Sequence, residues 1–151
     1  TRGYNIVGEI CQTLVSFGER VGRFQFEVTE NALMDDNGAD VLDAFRDAGF
    51  SLAIDDFGSG YSSLGYLKRF QVEGLKIDQQ FVQRLPDDAE DGAFASAVIQ
   101  MSKALGITVV AEGVETEAQA AFLAEHGCDI LQGYLISRPI APQQLIEFIR
   151  K

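Results

Sequence analysis

Acidic and amide side chains recur at the ends of the apolar, strand-like segments of this sequence. The groups that could bind a metal ion or a phosphate are Glu27 and Glu30, Asp55 and Asp56, Lys76 and Asp78, Glu112 and Glu115, and Gln132. Because the carboxyl ends of the strands in a parallel α/β barrel meet at one face, such side chains would converge there. Any one of these acidic residues, taken alone, is more often a helix cap or a solvated charge than a ligand. Their repetition along successive strands favours a shared site.

Divalent-metal binding is the chemistry that converging carboxylates favour. Without cations the carboxylates repel one another and their pKa values rise. Oxygen ligands suit Mg²⁺ or Mn²⁺, whereas a single histidine and two cysteines argue against zinc. Two such ions, about 3.5–4 Å apart, can hold a phosphodiester and activate a water molecule for in-line attack. The pattern therefore indicates metal-dependent phosphate chemistry.

Helical and strand-like patterns alternate along the chain. The predicted strands cover residues 23–30, 50–56, 74–78, 107–112 and 128–132. The predicted helices cover residues 5–17, 38–48, 93–105, 116–127 and 142–150, with a short helix beginning near residue 62 or 63 and an acidic loop over residues 86–92. Thr116 and Gln119 have the spacing of a capping box for the helix that ends at Gly127. Phe94 lies on the apolar stripe of the helix over residues 93–105, as expected for core packing. Strands that alternate with helices of this length imply a parallel sheet.

The composition limits the classes of function. The 151 residues carry a formal net charge of −11, so a general basic surface for DNA is excluded. The chain has no apolar run of about 18 residues, so we expect no membrane contact by this chain. Cys11 and Cys128 lie far apart in apolar segments, which fits a reducing cytoplasm better than a disulfide scaffold. A parent protein anchored in a membrane through other segments remains compatible with this composition.

Five motifs, in order along nearly the whole chain, resemble those of the EAL domain family. Residues 54–64 (IDDFGSGYSSL) resemble the DDFGTGYSSL signature, and residues 27–30 (EVTE) resemble the ELTE strand. Residues 75–78 (LKID), 111–115 (AEGVE) and 132–139 (QGYLISRP) resemble the remaining three motifs. The resemblance implies an α/β fold, a TIM-like (β/α) barrel, and a bacterial signalling enzyme that hydrolyses cyclic di-GMP to linear pGpG with two divalent ions, Mg²⁺ or Mn²⁺.

The resemblance also implies a role for each matched residue. The metal ligands would be Glu27, Asp55, Asp56 and Glu112. Lys76 would contact the catalytic water or the phosphate, and Gln132 would hydrogen-bond the water. Glu112 is compatible with either a ligand or a water-orienting carboxylate.

Other matched residues would act around this centre. Glu30 would steady the loop after the paired aspartates, and that loop with its following helix would form a homodimer contact. Substrate contacts would come from Asp78, Glu115 and Arg138. Two alternatives stay open, because Glu115 could instead support the cap of the helix at Thr116, and Arg138 could pair with an acidic neighbour.

The Glu-Ala-Leu motif and the asparagine strand that follows it in the family do not occur in these 151 residues. We therefore expect a partial EAL domain over residues 1–151, an incomplete barrel with the first strands missing. A fragment of an enzyme is favoured over a naturally short, degenerate relative, because every downstream motif is retained. The alternative function is a catalytically inactive cyclic di-GMP receptor or a regulatory interaction domain.

Overall fold

The computed structural model describes residues 2–29, 36–59 and 64–150, which form alternating helices and strands. The strands are β1 (Gln25–Thr29), β2 (Ser51–Phe57), β3 (Gly74–Ile77), β4 (Thr108–Ala111) and β5 (Ile130–Leu131). The helices are α1 (Arg2–Ser16), α2 (Asp36–Asp47), α3 (Leu64–Arg69), α4 (Ala89–Leu105), α5 (Glu117–His126) and α6 (Pro142–Ile149). Short 3-10 helices cover Val21–Arg23 and Gln79–Phe81. Within the described ranges, no helix combines the length and apolar character needed to cross a bilayer.

The strands form one parallel sheet in the order β1-β2-β3-β4-β5. Each strand therefore pairs with its neighbour in the chain, with a helix between successive strands. The predicted parallel α/β architecture is confirmed, and the sheet is that of an incomplete TIM-like barrel. Because all strands run in the same direction, their carboxyl ends lie along one edge of the sheet. β1 and β5 are the two outer strands.

The apolar core lies between the sheet and the helices that cover it. β3 is buried along its whole length, as expected for the central strand of a parallel sheet. Phe26 of β1 packs on Phe45 of α2 and on Phe50, with ring centroids 4.3 and 4.9 Å apart. These contacts fix β1 and α2 relative to each other and so fix where the end of β1 points.

The predicted helix boundaries are correct at α5 and wrong at the start of α4. Thr116 and Gln119 form the predicted capping box, and Gly127 ends α5 with a φ of 84°. Helix α4 begins at Ala89 rather than at residue 93, because the Asp88 carboxylate accepts hydrogen bonds from the backbone of the first turn. The predicted acidic loop is therefore partly helical.

Of the predicted strands, β1 and β5 are shortened most in the structure. Residues 21–23 form a 3-10 helix, so β1 begins at Gln25 rather than at residue 23. β5 contains only Ile130 and Leu131, although five residues were predicted. The strand pattern therefore located the strands correctly but extended them into the turns beside them.

Candidate metal and phosphate site

The end of β2 brings two neighbouring carboxylates to the same place. Consecutive side chains of a regular strand point to opposite faces, so Asp55 and Asp56 would normally diverge. Here the β2–β3 register is interrupted between Ile54 and Phe57, and Asp56 has a φ of 53°. Oxygen atoms of Asp55, Asp56 and Glu112 consequently lie within 4.8 Å of one another. A left-handed conformation at an aspartate is a local strain that recurs at functional sites.

Lys76 on the central strand contacts three carboxylates that come from three other elements. Its Nζ lies 2.8 Å from Glu27 Oε2, 2.7 Å from Glu112 Oε1 and 3.1 Å from Asp55 Oδ1. Burial alone would lower the pKa of Lys76, but its close contacts with Glu112, Glu27 and Asp55 outweigh burial and raise the pKa. The ammonium therefore stays protonated and offsets part of the negative charge.

Asp56 lies in a more strongly acidic environment. Partial burial raises the pKa of Asp56, the charges of Asp55 and Asp78 raise it further, and Lys76 opposes them. Asp55 and Asp78 each act on Asp56 more strongly than Lys76 does, so negative charge predominates around the Asp56 carboxylate. A further cation at this position would remove the conflict.

The donor set fits a divalent cation. Asp55 Oδ1 is buried and, within the described part of the chain, accepts no hydrogen bond, although Lys76 Nζ lies 3.1 Å away as an ion-pair partner. A buried carboxylate oxygen without a hydrogen bond has unused capacity to coordinate a metal. Together with Asp56 and Glu112 it offers oxygen ligands of the kind that Mg²⁺ and Mn²⁺ prefer. Glu27 is half-exposed and contacts the ammonium of Lys76 at the edge of this group.

Gln132 and Asp78 also lie beside the cluster, and each has a partner. Gln132 Nε2 donates to Glu112 Oε1 at 3.4 Å, which links β5 to the carboxylate at the end of β4. Asp78 accepts hydrogen bonds from the backbone and side-chain nitrogens of Gln80 at 2.9 and 3.2 Å. Asp78 thus caps the 3-10 helix that follows β3, and its charge still acts on Asp56.

A cavity of about 300 Å³ opens next to Glu112. Its lining consists of Gln79, Glu112, Gly113, Glu115, Gln132, Gly133 and Tyr134. The Glu115 backbone N–H donates to Gln119 Oε1 at 2.7 Å and so supports the α5 cap, and the same residue lines the cavity. A substrate contact by Glu115 and a role of Glu115 in the α5 cap are therefore both compatible with this geometry.

One residue of the cavity lining escaped sequence-based prediction. Gln79, which directly follows Asp78, was not predicted as a site residue. The two glycines, Gly113 and Gly133, are the trace of this close packing in the sequence. A Cβ at Gly113 would lie 2.6 Å from Gln79 Cβ, and one at Gly133 would lie 2.1 Å from the Val114 carbonyl oxygen. Glycine at such close approaches keeps three chain segments in contact around the cavity.

Arg138 lies farther along the same edge. Its guanidinium lies over the ring of Tyr134, 4.4 Å from the centroid. Both residues line a second cavity of about 310 Å³ that is bounded by α6. Among the described residues, the predicted pairing of Arg138 with an acidic neighbour is therefore replaced by a cation–π contact. Glu30 lies outside the described residues.

Comparison with known proteins agrees with this geometry. A family model described as "EAL domain" matches residues 4–139. The chain is 45% identical over 148 residues to cyclic di-GMP phosphodiesterase NbdA of Pseudomonas aeruginosa. The matched region covers 97% of this chain and 19% of NbdA. It is 47% identical over 143 residues to the bifunctional diguanylate cyclase/cyclic di-GMP phosphodiesterase MucR of the same organism, covering 93% of this chain and 21% of MucR.

Solved structures show the same arrangement of elements. The PaMucR phosphodiesterase in complex with c-di-GMP has 42% identity and a TM-score of 0.86, covering 92% of this chain and 57% of that one. The manganese and cyclic di-GMP complex of Klebsiella pneumoniae BlrP1 has 41% identity and a TM-score of 0.83, covering 89% and 35%. The chain belongs to the EAL domain family, and it spans about a fifth of the length of the first curated relatives it matches.

Proposed function

We propose that this chain provides the catalytic carboxylates of a phosphodiesterase that hydrolyses cyclic di-GMP to linear pGpG. The observation that carries the proposal is the cluster of Asp55, Asp56 and Glu112 beside the buried ammonium of Lys76. Relatives of this chain are named for this activity, and a neighbour structure holds both manganese and the nucleotide. An acidic chain needs such a local cation site to hold a phosphodiester.

Two divalent ions, Mg²⁺ or Mn²⁺, would be held by Asp55, Asp56 and Glu112, with Glu27 at the edge of the group. When bound, such ions polarise the phosphodiester and lower the pKa of a water molecule. The left-handed turn at Asp56 keeps two adjacent carboxylates directed into one site.

Lys76, Glu112 and Gln132 would orient the nucleophile and the phosphate. The Lys76 ammonium is buried and held by carboxylates from three elements, so its position varies little. It can donate a hydrogen bond to a phosphate oxygen or to the attacking water. Gln132 donates to Glu112, which fixes the carboxylate for accepting a hydrogen bond from that water.

Substrate contacts would come from Asp78, which follows β3, Glu115, which follows β4, and Arg138, which follows β5. Glu115 and Glu112 line the same cavity. A nucleotide in contact with Glu115 would therefore have its scissile phosphate within reach of Glu112. The Arg138–Tyr134 pair offers a flat cationic and aromatic surface suited to a base or a phosphate.

Membership of the EAL domain family supports two further proposals, on location and on assembly. We place the protein in the bacterial cytoplasm, where its nucleotide substrate occurs. The loop after Asp56 and the helix that follows it would form a homodimer contact, and Glu30 would steady that loop. Sedimentation at several concentrations tests the dimer, and a monomer at all of them would contradict it.

The activity is tested on the full-length natural protein with cyclic di-GMP and Mn²⁺, with product followed by chromatography. We expect pGpG from the wild type, none with a chelator and none from Asp55→Asn, because asparagine removes the negative charge and leaves only one neutral carbonyl oxygen as a ligand. Asp87→Asn, which changes an exposed aspartate, is the matched control and should retain activity. Unchanged turnover in Asp55→Asn would reject the metal role, and tight nucleotide binding without product would favour a receptor.

A further inference from the structure

The turn that follows β2 sets the relative directions of Asp55 and Asp56. Asp56 has a φ of 53° and Gly58 a φ of 100°, so two residues of the turn adopt left-handed conformations. Ser59 closes the turn, since its backbone N–H and its Oγ donate to the Asp56 carbonyl oxygen at 3.2 and 2.8 Å. These local bonds fix the shape of the turn, but they do not fix its position relative to Glu112 across the sheet.

Two aromatic rings lie directly against this turn at Gly58. A Cβ on Gly58 would come within 2.3 Å of Phe94 Cζ and within 2.8 Å of Phe81 Cε2. The two rings stack with centroids 4.0 Å apart and an interplanar angle of 30°. The glycine backbone therefore rests on a stacked pair that leaves no room for a side chain.

Both rings are anchored outside the turn. Phe81 belongs to the 3-10 helix capped by Asp78, and its backbone N–H donates to the Asp78 carbonyl oxygen at 3.0 Å. Phe94 lies in the second turn of α4, whose start is fixed by the Asp88 cap. The rings are partly buried and pack against the main core. The pair thus connects α4 and the end of β3 to the turn that carries the paired aspartates.

We propose that Phe94 is a positioning residue for the metal site, acting through Gly58 and the Asp56 turn. This inference rests on the proposed function, because it assumes that Asp55 and Asp56 bind divalent ions. Removal of the Phe94 ring leaves a cavity beneath the turn, and the turn relaxes into it. The Asp56 carboxylate then moves relative to Asp55 and Glu112, which weakens cation binding.

The test measures Mn²⁺ binding directly in the full-length protein, using the electron paramagnetic resonance signal of unbound Mn²⁺ and no nucleotide. We expect Phe94→Ala to weaken Mn²⁺ binding about tenfold, the lower end of the roughly 10–100-fold loss seen when groups supporting metal ligands are removed. Phe94→Leu refills most of the volume and should stay within about threefold of the wild type. Such rescue by a ring-free apolar side chain distinguishes support of the turn from a direct role of the ring.

Phe122→Ala is the matched control. Phe122 is a partly buried phenylalanine on α5 that stacks on His126 with centroids 4.1 Å apart. Its truncation also creates a cavity, but not beneath the Asp56 turn. We expect Phe122→Ala to lower the urea midpoint, as Phe94→Ala does, while leaving the Mn²⁺ affinity unchanged.

A double-mutant cycle with Gly58→Ala tests the contact itself. The added methyl group meets the Phe94 ring, so Gly58→Ala should weaken Mn²⁺ binding more in the wild type than in Phe94→Ala. Additive effects, or wild-type affinity in Phe94→Ala, would overturn the positioning role while leaving the metal site intact. Absence of Mn²⁺ binding by the wild type would overturn the metal site itself, and the positioning role with it.

Discussion

Replacement of Lys76 by methionine should destabilise the metal-free domain and yet strengthen metal binding. The change removes the ammonium and keeps most of the apolar stem. The Lys76 side chain is 9% exposed, whereas those of Glu112 and Asp55 are 19% and 28% exposed. Breaking a buried ion pair costs about 3–5 kcal/mol, and solvent around the carboxylates reduces this, so we expect a loss of about 2–3 kcal/mol in unfolding free energy.

Metal affinity should change in the opposite direction. Nζ lies 2.7 Å from Glu112 and 3.1 Å from Asp55, so its charge repels a cation bound by the same oxygens. A unit-charge pair at 4 Å is worth about 1 to 4 kcal/mol between bulk water and a protein surface. We therefore expect Mn²⁺ to bind at least about tenfold more tightly, or about 1.4 kcal/mol. Turnover should still be lost, because no ammonium remains to contact the water or phosphate.

Urea unfolding with a chelator, and again with Mn²⁺, measures both effects. At one hundred times its dissociation constant Mn²⁺ contributes about 2.7 kcal/mol, which would restore most of the stability of the variant. Lys68→Met, which changes an exposed lysine on α3, is the matched control and should alter neither quantity. Weaker Mn²⁺ binding by Lys76→Met would refute the view that lysine and cation share these carboxylates.

Three further changes test other parts of the structure. Thr116→Ala should lower the unfolding free energy by about 1 kcal/mol in urea, because the α5 cap loses its hydroxyl acceptor; an unchanged midpoint would contradict this. Gly133→Ala should lower the thermal midpoint through a loss of about 3 kcal/mol, because its Cβ would overlap the Val114 backbone; a wild-type midpoint would show that β4 and β5 can separate without cost. Asp55→Asn should weaken Mn²⁺ binding at least about tenfold by calorimetry, and wild-type affinity would remove Asp55 from the ligand set.

The sequence predicted which strand ends would meet, because that follows from parallel strand order alone. Glu27, Asp55 and Glu112 were each assigned to a strand end, and each has a carboxylate oxygen within 3.1 Å of Lys76 Nζ. The Thr116 capping box and the glycine at the end of α5 were also correct, since both depend on a few adjacent residues. Local rules and one topological rule thus account for most of the fold and much of the candidate site.

The features that escaped prediction depend on contacts between distant segments. No local pattern in residues 54–57 reveals the register shift or the left-handed Asp56 that directs two neighbouring carboxylates into one site. The four-residue error at the start of α4 came from treating Asp88 as a loop residue rather than as a cap. The ring of Phe94 was assigned to core packing by its helical spacing, and only the structure places it against Gly58.

Anomalous diffraction from crystals of the full-length protein, grown with Mn²⁺ and cyclic di-GMP, tests the proposed metal site most directly. We expect two manganese peaks about 3.5–4 Å apart, coordinated by oxygens of Asp55, Asp56 and Glu112. Bound nucleotide with no manganese peak among these carboxylates would contradict the proposal that this edge of the sheet is a two-metal phosphodiesterase centre.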